Sequence, residues 1–140
     1  MTVAGSAKLI VNPSLFPDVD AIRERALHEL IARLRELEGD NLIRVILYGS
    51  VARGDARENS DTDVLILLRD ENGDPIDRIS HVVVDVDMGA GECCTHITPN
   101  IFDLEAFHHE DRYHGFFKNL DKDGVILYDT AEYRKPQGCS

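Results

Sequence analysis

Apolar residues recur along this chain at two spacings, and the change from one to the other marks its elements. Ile22, Ala26, Leu27, Leu30, Ile31, Leu34 and Leu37 fall three or four apart, the period of one helix face. Asp18 or Asp20 offers its cap, Gly39 its stop, and Arg23, Glu24, Arg33, Arg35 and Glu36 its solvated face. Ile43 to Tyr48 is short, apolar and partly β-branched, which predicts a buried strand, and Asp63 to Leu68 predicts a second one. A short helix is expected between them, around Val51 to Arg53. Arg69 to Pro75 is a turn cluster. Ile76, Ile79, Val82, Val83 and Val86 then fit a helix face, with Asp74 as cap and Pro75 in the first turn. Valine-rich His81 to Val86 and the Asn72-Gly73 pair pull instead toward a hairpin. The helix is the expectation. Glu92 to Thr98 reads as a strand ended by Pro99; Ile101, Leu104, Glu105 and Phe107 to Phe117 read as helical; Val125 to Tyr128 reads as a last strand after Gly124. Strands alternating with helices predict an α/β fold, a small mixed β-sheet packed with α-helices. Residues 1–17, with two prolines and no period, read as a lead-in, 18–130 as the domain and 131–140 as a polar tail.

A chain of 140 residues has room for one core. Its net charge of −11 argues against binding long nucleic acid, which needs Lys and Arg against phosphates. A small nucleotide held through a cation remains compatible, and an acidic surface suits a basic partner. Met1 to Val11 lacks the pattern of a secretory leader, and no run approaches the ~18 apolar residues of a membrane span. A cytoplasmic setting is expected, with Cys93, Cys94 and Cys139 as reduced thiols; no Cys-x-x-Cys points to structural zinc.

The candidate chemistry lies between the first two predicted strands. One ends in Gly49-Ser50; after ten residues the next begins at Asp61-Thr62-Asp63. Gly49 has no Cβ and lets the backbone approach a ligand closely. Ser50 offers a hydroxyl and an N–H where a helix starts, a position that attracts phosphate. Asp61 and Asp63, two apart, share one face of a strand. Two hard carboxylate ligands suit Mg²⁺, which takes one or two carboxylates together with substrate phosphates. Arg53 and Arg57 flank the loop as candidates to touch phosphate, and Tyr48 reads as core or pocket wall.

The pattern Gly-Ser-x10-Asp-x-Asp, with Gly49, Ser50, Arg53, Gly54, Ser60, Asp61 and Asp63 on it, resembles the minimal nucleotidyltransferase (MNT) family of the DNA polymerase beta superfamily. Phe116 to Tyr128 is similar to the closing segment of that family, and the likeness spans roughly residues 40 to 129. The resemblance implies a nucleotidyltransferase core that moves a nucleoside monophosphate from a triphosphate, ATP foremost, to an acceptor hydroxyl. Asp61 and Asp63 would bind Mg²⁺, and Gly49 and Ser50 would hold the β- and γ-phosphates. It also implies an antitoxin role beside a HEPN-type RNase partner, adenylylated on tyrosine. An alternative of another class is a non-catalytic module that binds nucleotide or partner and retains the fold. A small-molecule transferase of the aminoglycoside or lincosamide type ranks last, since such chains are usually longer. The compact core leaves its substrate side open, so self-association or a partner is expected to complete it.

Catalytic members of the family usually add a third carboxylate as general base, a role worth about 10²–10⁴ in rate. The strand expected to carry it, Glu92 to Thr98, holds no aspartate. Glu92 at its start, Asp85 or Asp87 on the hairpin reading, or no residue at all, stay open. His108, His109 and His114 cluster, but His109 and His114 are five apart and diverge around a helix, so no zinc site is expected.

Overall fold

The computed structural model describes residues 8–9, 21–54, 56, 60–89, 95–108, 120 and 122–130. Strands β1 (Lys8–Leu9), β2 (Leu42–Tyr48), β3 (Thr62–Leu68), β4 (Ile97–Asp103) and β5 (Val125–Asp129) form one sheet in the order β1-β5-β2-β3-β4. Among the described residues only β3 and β4 run parallel; the other neighbours are antiparallel. Helices α1 (Ala21–Glu38), α2 (Gly49–Arg53), α3 (Pro75–Gly89) and α4 (Leu104–His108) complete the α/β fold.

Period two along the strands gives the sheet two faces. Val45, Leu47, Val64, Ile66 and Leu68 meet Leu27, Leu30, Ile31 and Leu34 of α1 and Ile79, Val83 and Val86 of α3. Ile43, Ile46, Leu65 and Leu67 pack on the other face with Leu120, Phe102 and Leu104. Along β3, side chains in the parity of Val64 therefore look at the long helices, and those in the parity of Leu65 look away from them.

The helix over α3 is formed, not the hairpin. Asp74 Oδ1 accepts the Asp77 N–H at 3.1 Å, so Asp74 caps the helix as its sequence suggests. Asn72 and Gly73 take left-handed φ values of 41° and 87°, but their turn feeds a crossover. The parallel pairing of β3 and β4 requires one, since a tight hairpin joins only antiparallel strands. Ile76, expected on the apolar face, is instead exposed.

Four further expectations are corrected. Lys8–Leu9, inside the expected lead-in, pairs with β5 as an edge strand too short to show a period. Pro99 does not end β4 but lies within it, and the strand runs on to Asp103. At the edge of a sheet one side of the backbone makes no ladder, so a residue without an N–H is tolerated there. Asp103 then caps α4, its Oδ1 accepting the Ala106 N–H at 2.8 Å, so Ile101 belongs to the strand and the helix starts at Leu104. Arg23, assigned to the solvated face, is only 4% exposed and donates through Nη2 to Ser60 O at 2.9 Å. Asp18, Asp20, Glu92, the three cysteines, Arg57, His109 and His114 lie outside the described residues.

One ion pair ties α1 to the start of α3. Arg78 grips Glu38 with Nε at 2.6 Å from Oε2 and Nη2 at 3.1 Å from Oε1, and Nη2 also donates to Glu71 O at 2.8 Å. The Glu38 side chain is 3% exposed. Burial raises its carboxyl, but hydrogen bonds from Arg78 and Asn41 outweigh burial and hold it below the ordinary carboxylate value. A folded-state pKa below the unfolded one means this contribution is present above the unfolded pKa and is lost as pH falls through the folded one. Arg78→Ala is expected to cost about 2 kcal/mol or more, because it leaves a buried carboxylate without its partner. Chemical denaturation at neutral pH measures this; a loss of only a few tenths of a kcal/mol would class the pair with exposed ones.

Candidate functional site

The candidate residues meet at one end of the sheet. β2 ends at Tyr48, whose register partner on β3 is Asp63, so the turn after β2 emerges beside the first residues of β3. Gly49 sits in that turn with φ +80°, a left-handed conformation that favours glycine. A Cβ built on Gly49 would run into Asp63 Oδ2. The turn and the carboxylate are thus packed against each other, although fourteen positions separate them in the sequence. α2 spans only Gly49–Arg53, and Gly54 closes it with φ 86° and an N–H donated to Ser50 O and Val51 O. Five residues give a small dipole, so any hold on an anion here comes from the local N–H groups of the turn.

Asp61 is exposed just ahead of β3, and Asp63 is half-buried within it. Burial pushes the Asp63 carboxyl above its ordinary value, the neighbouring charge of Asp61 pushes it further, and Arg53 draws it back. A cation would relieve the repulsion between the two carboxylates, and a pair of carboxylate ligands suits a divalent metal. Arg53 is exposed at the end of α2 and near enough for its charge to act on Asp63.

Tyr48 and Asn100 floor the site. Their strands flank β3, and Asn100 Nδ2 donates to the Tyr48 hydroxyl across it. Burial raises the Tyr48 hydroxyl pKa, the Asn100 bond opposes that, and the charge of Asp63 adds to it. Sequence reading missed Asn100 because it lies past the proline expected to end the strand.

No third carboxylate stands beside Asp63 among the described residues, where no group of three or more metal-binding side chains forms. The β4 positions on the same sheet face are Thr98, paired in register with Asp63, and Asn100. Asp85 and Asp87 lie on α3, behind the sheet. Asp85 is exposed, 3.6 Å from Arg33 Nη1; Asp87 binds Thr95 and the Ile97 N–H. Neither reaches the Asp61–Asp63 face, so the hairpin-based assignment of either as third ligand does not hold. A groove of ≈ 360 Å³ between α1 and α3, bordered by Ile22, Arg25, Glu29 and Val86, also lies behind the sheet, away from Asp63.

The family model for the nucleotidyltransferase domain matches residues 27–135, most of the chain and every candidate residue above. The chain belongs to the nucleotidyltransferase domain family. Over 52 residues the chain is 42% identical to a Methanocaldococcus jannaschii protein provisionally named a protein adenylyltransferase, a match covering 37% of this chain and 35% of the relative. A second protein of that organism with the same provisional name is 64% identical over 31 residues, 22% of this chain and 31% of the relative. The matched stretch is therefore about a third of the length of these curated relatives. In three dimensions the chain is similar to a crystal structure of a toxin–antitoxin with AMP-PNP, with a TM-score of 0.51 and 20% identity, covering 74% of this chain and 73% of that one. That likeness is one of fold. Among the described residues no helix is long and apolar enough to cross a membrane.

Proposed function

We propose that this nucleotidyltransferase moves a nucleoside monophosphate, AMP from ATP, onto the hydroxyl of a protein acceptor. The contact of Gly49 with Asp63 carries the reading, because it joins a tight, Cβ-free turn to a carboxylate pair in one site. Asp61 and Asp63 would hold Mg²⁺. The metal would supply charge neutralisation on the triphosphate and at the transferring phosphorus. The N–H groups of the Gly49-Ser50 turn and the Ser50 hydroxyl would bind the β- and γ-phosphates, and Arg53 would add positive charge beside them. The acceptor oxygen would form a bond to the α-phosphorus as the bond to the pyrophosphate oxygen breaks. With no third carboxylate beside Asp63 among the described residues, the acceptor proton would pass to a substrate oxygen or to solvent.

A protein acceptor is supported by the provisional names of the two relatives and by a net charge of −11, which favours a basic partner. A tyrosine of a HEPN-type toxin is the acceptor we favour, in line with the toxin–antitoxin of similar fold. A second reading rests on Thr98 and Asn100 standing where a third acid would face Asp63: the domain binds nucleotide and partner without turnover.

Calorimetry of ATP binding with and without Mg²⁺ tests the shared part of both readings. Metal-dependent binding is expected, and its absence at millimolar ATP would sink the free-standing site. Label from α-phosphate-labelled ATP appearing on the partner separates transfer from binding alone.

A further inference from the structure

Behind the carboxylate pair lies a chain of hydrogen bonds, buried at Thr62 and part-buried at Asp87, that the chemistry above does not use. Thr62, between Asp61 and Asp63, points the opposite way, into the helix-side core, and is fully buried. Its hydroxyl donates to Thr95 O, and its backbone N–H donates to His96 O at 3.0 Å. Residues 95–97 are in turn held by Asp87 at the C-terminal end of α3. Its carboxylate accepts from the Thr95 hydroxyl and, at 3.3 Å, from the Ile97 N–H. These two bonds straddle His96, whose φ of 40° is unusual for a residue with a side chain. The Asp87 carboxylate therefore stabilises a backbone bend that turns the Thr95 and His96 carbonyls toward Thr62. On the other flank, the buried Arg23 donates to Ser60 O. The segment that carries Asp61 and Asp63 is thus tied down from the helix side at Ser60 and Thr62.

We infer that Asp87 is a positioning residue: through Thr95, His96 and Thr62 it holds Asp61 and Asp63 at the spacing that binds a divalent cation. The inference rests on the metal site proposed above and gives Asp87 a part in it without contact to metal or substrate. Outer partners of this kind typically change metal affinity about 10- to 100-fold when removed.

The test is Mn²⁺ affinity in the presence of AMP-PNP, read by Mn²⁺ paramagnetic resonance, together with amide hydrogen exchange at Thr62. Asp87→Ala is expected to weaken Mn²⁺ binding about tenfold while the protein stays folded, and to speed exchange at Thr62. Asp87→Asn keeps an acceptor oxygen for Thr95 and should recover part of the loss. Asp85→Ala, two residues away and exposed, should match the unsubstituted protein. A folded Asp87→Ala with unchanged Mn²⁺ affinity overturns the inference. Should that variant not fold, Thr62→Val carries the test: it keeps the side-chain shape and removes the hydroxyl, so unchanged Mn²⁺ affinity there overturns it equally. If the unsubstituted protein binds no Mn²⁺, the metal reading fails, and unaltered Thr62 exchange in Asp87→Ala would overturn the clamp on its own.

Discussion

Replacing Asp61 and Asp63 together by alanine is expected to lower nucleotide transfer by about 10³-fold or more and to remove the Mg²⁺ dependence of ATP binding. Groups that neutralise developing charge commonly contribute about 10²–10³ each, and here a cation and its two ligands are lost at once. The assay is transfer of label from α-phosphate-labelled ATP, with calorimetry on the same variant; metal-dependent binding that survives the double substitution would move the site elsewhere. Asp63→Asn sharpens the prediction through its sign. Burial and the charge of Asp61 raise the Asp63 pKa in the folded protein above its unfolded value. The ionised carboxylate then costs stability, a penalty absent below the unfolded pKa of about 3.9 and complete above the folded one. Metal-free Asp63→Asn should therefore melt higher than the unsubstituted protein at neutral pH while binding metal worse, and the gain in melting temperature should vanish in acid. Metal affinity of the unsubstituted protein should likewise fall as pH drops through the raised pKa, because a proton competes for Asp63. An asparagine variant that melts lower than its parent at neutral pH without metal would show that Asp63 is stabilised by its surroundings.

Gly49→Ala is the second large effect. At φ +80° a side chain is strained by about 1–2 kcal/mol. The added methyl also meets Asp63 Oδ2, so the carboxylate or the end of β2 must shift. A displacement of about 1 Å at a reacting centre can lower a rate about 10²-fold, and a loss of that order in transfer is expected. Gly39→Ala is the matched comparison. Gly39 also has positive φ, +57°, but a Cβ there meets nothing within 4 Å. It should lose stability of the same order and keep its transfer rate. Equal rates for the two variants would mean that the Gly49–Asp63 contact has no bearing on the chemistry.

The legible parts of this protein are those in which one element decides the outcome. The helix of Ile22 to Leu34, the strands around Leu47 and Ile66, the Asp74-Pro75 helix start and the closing strand all announce themselves through spacing and local capping. Gly49 with Asp63 could be paired as candidates because each lies at the tip of such a strand. The misread parts each depended on a neighbour. Pro99 looks like a strand end until β4 is known to be at an edge. Arg23 looks solvated until Ser60 O is placed above it. Lys8–Leu9 is too short to be a strand without β5 to pair with.

By itself, then, the sequence determined the α/β alternation and the alternation of side chains along β3 from Asp63 onward, because period two is a property of a single strand. The tertiary structure decided what each face looks at. It put α3 behind the sheet, which removed Asp85 and Asp87 from the carboxylate face and gave Asp87 the Thr95–Ile97 bend to hold. It set Tyr48 across from Asp63 and within reach of Asn100, and it pressed Gly49 onto Asp63. Those outcomes follow from strand order and register, which are set by packing between distant segments and leave no periodic trace within any one of them.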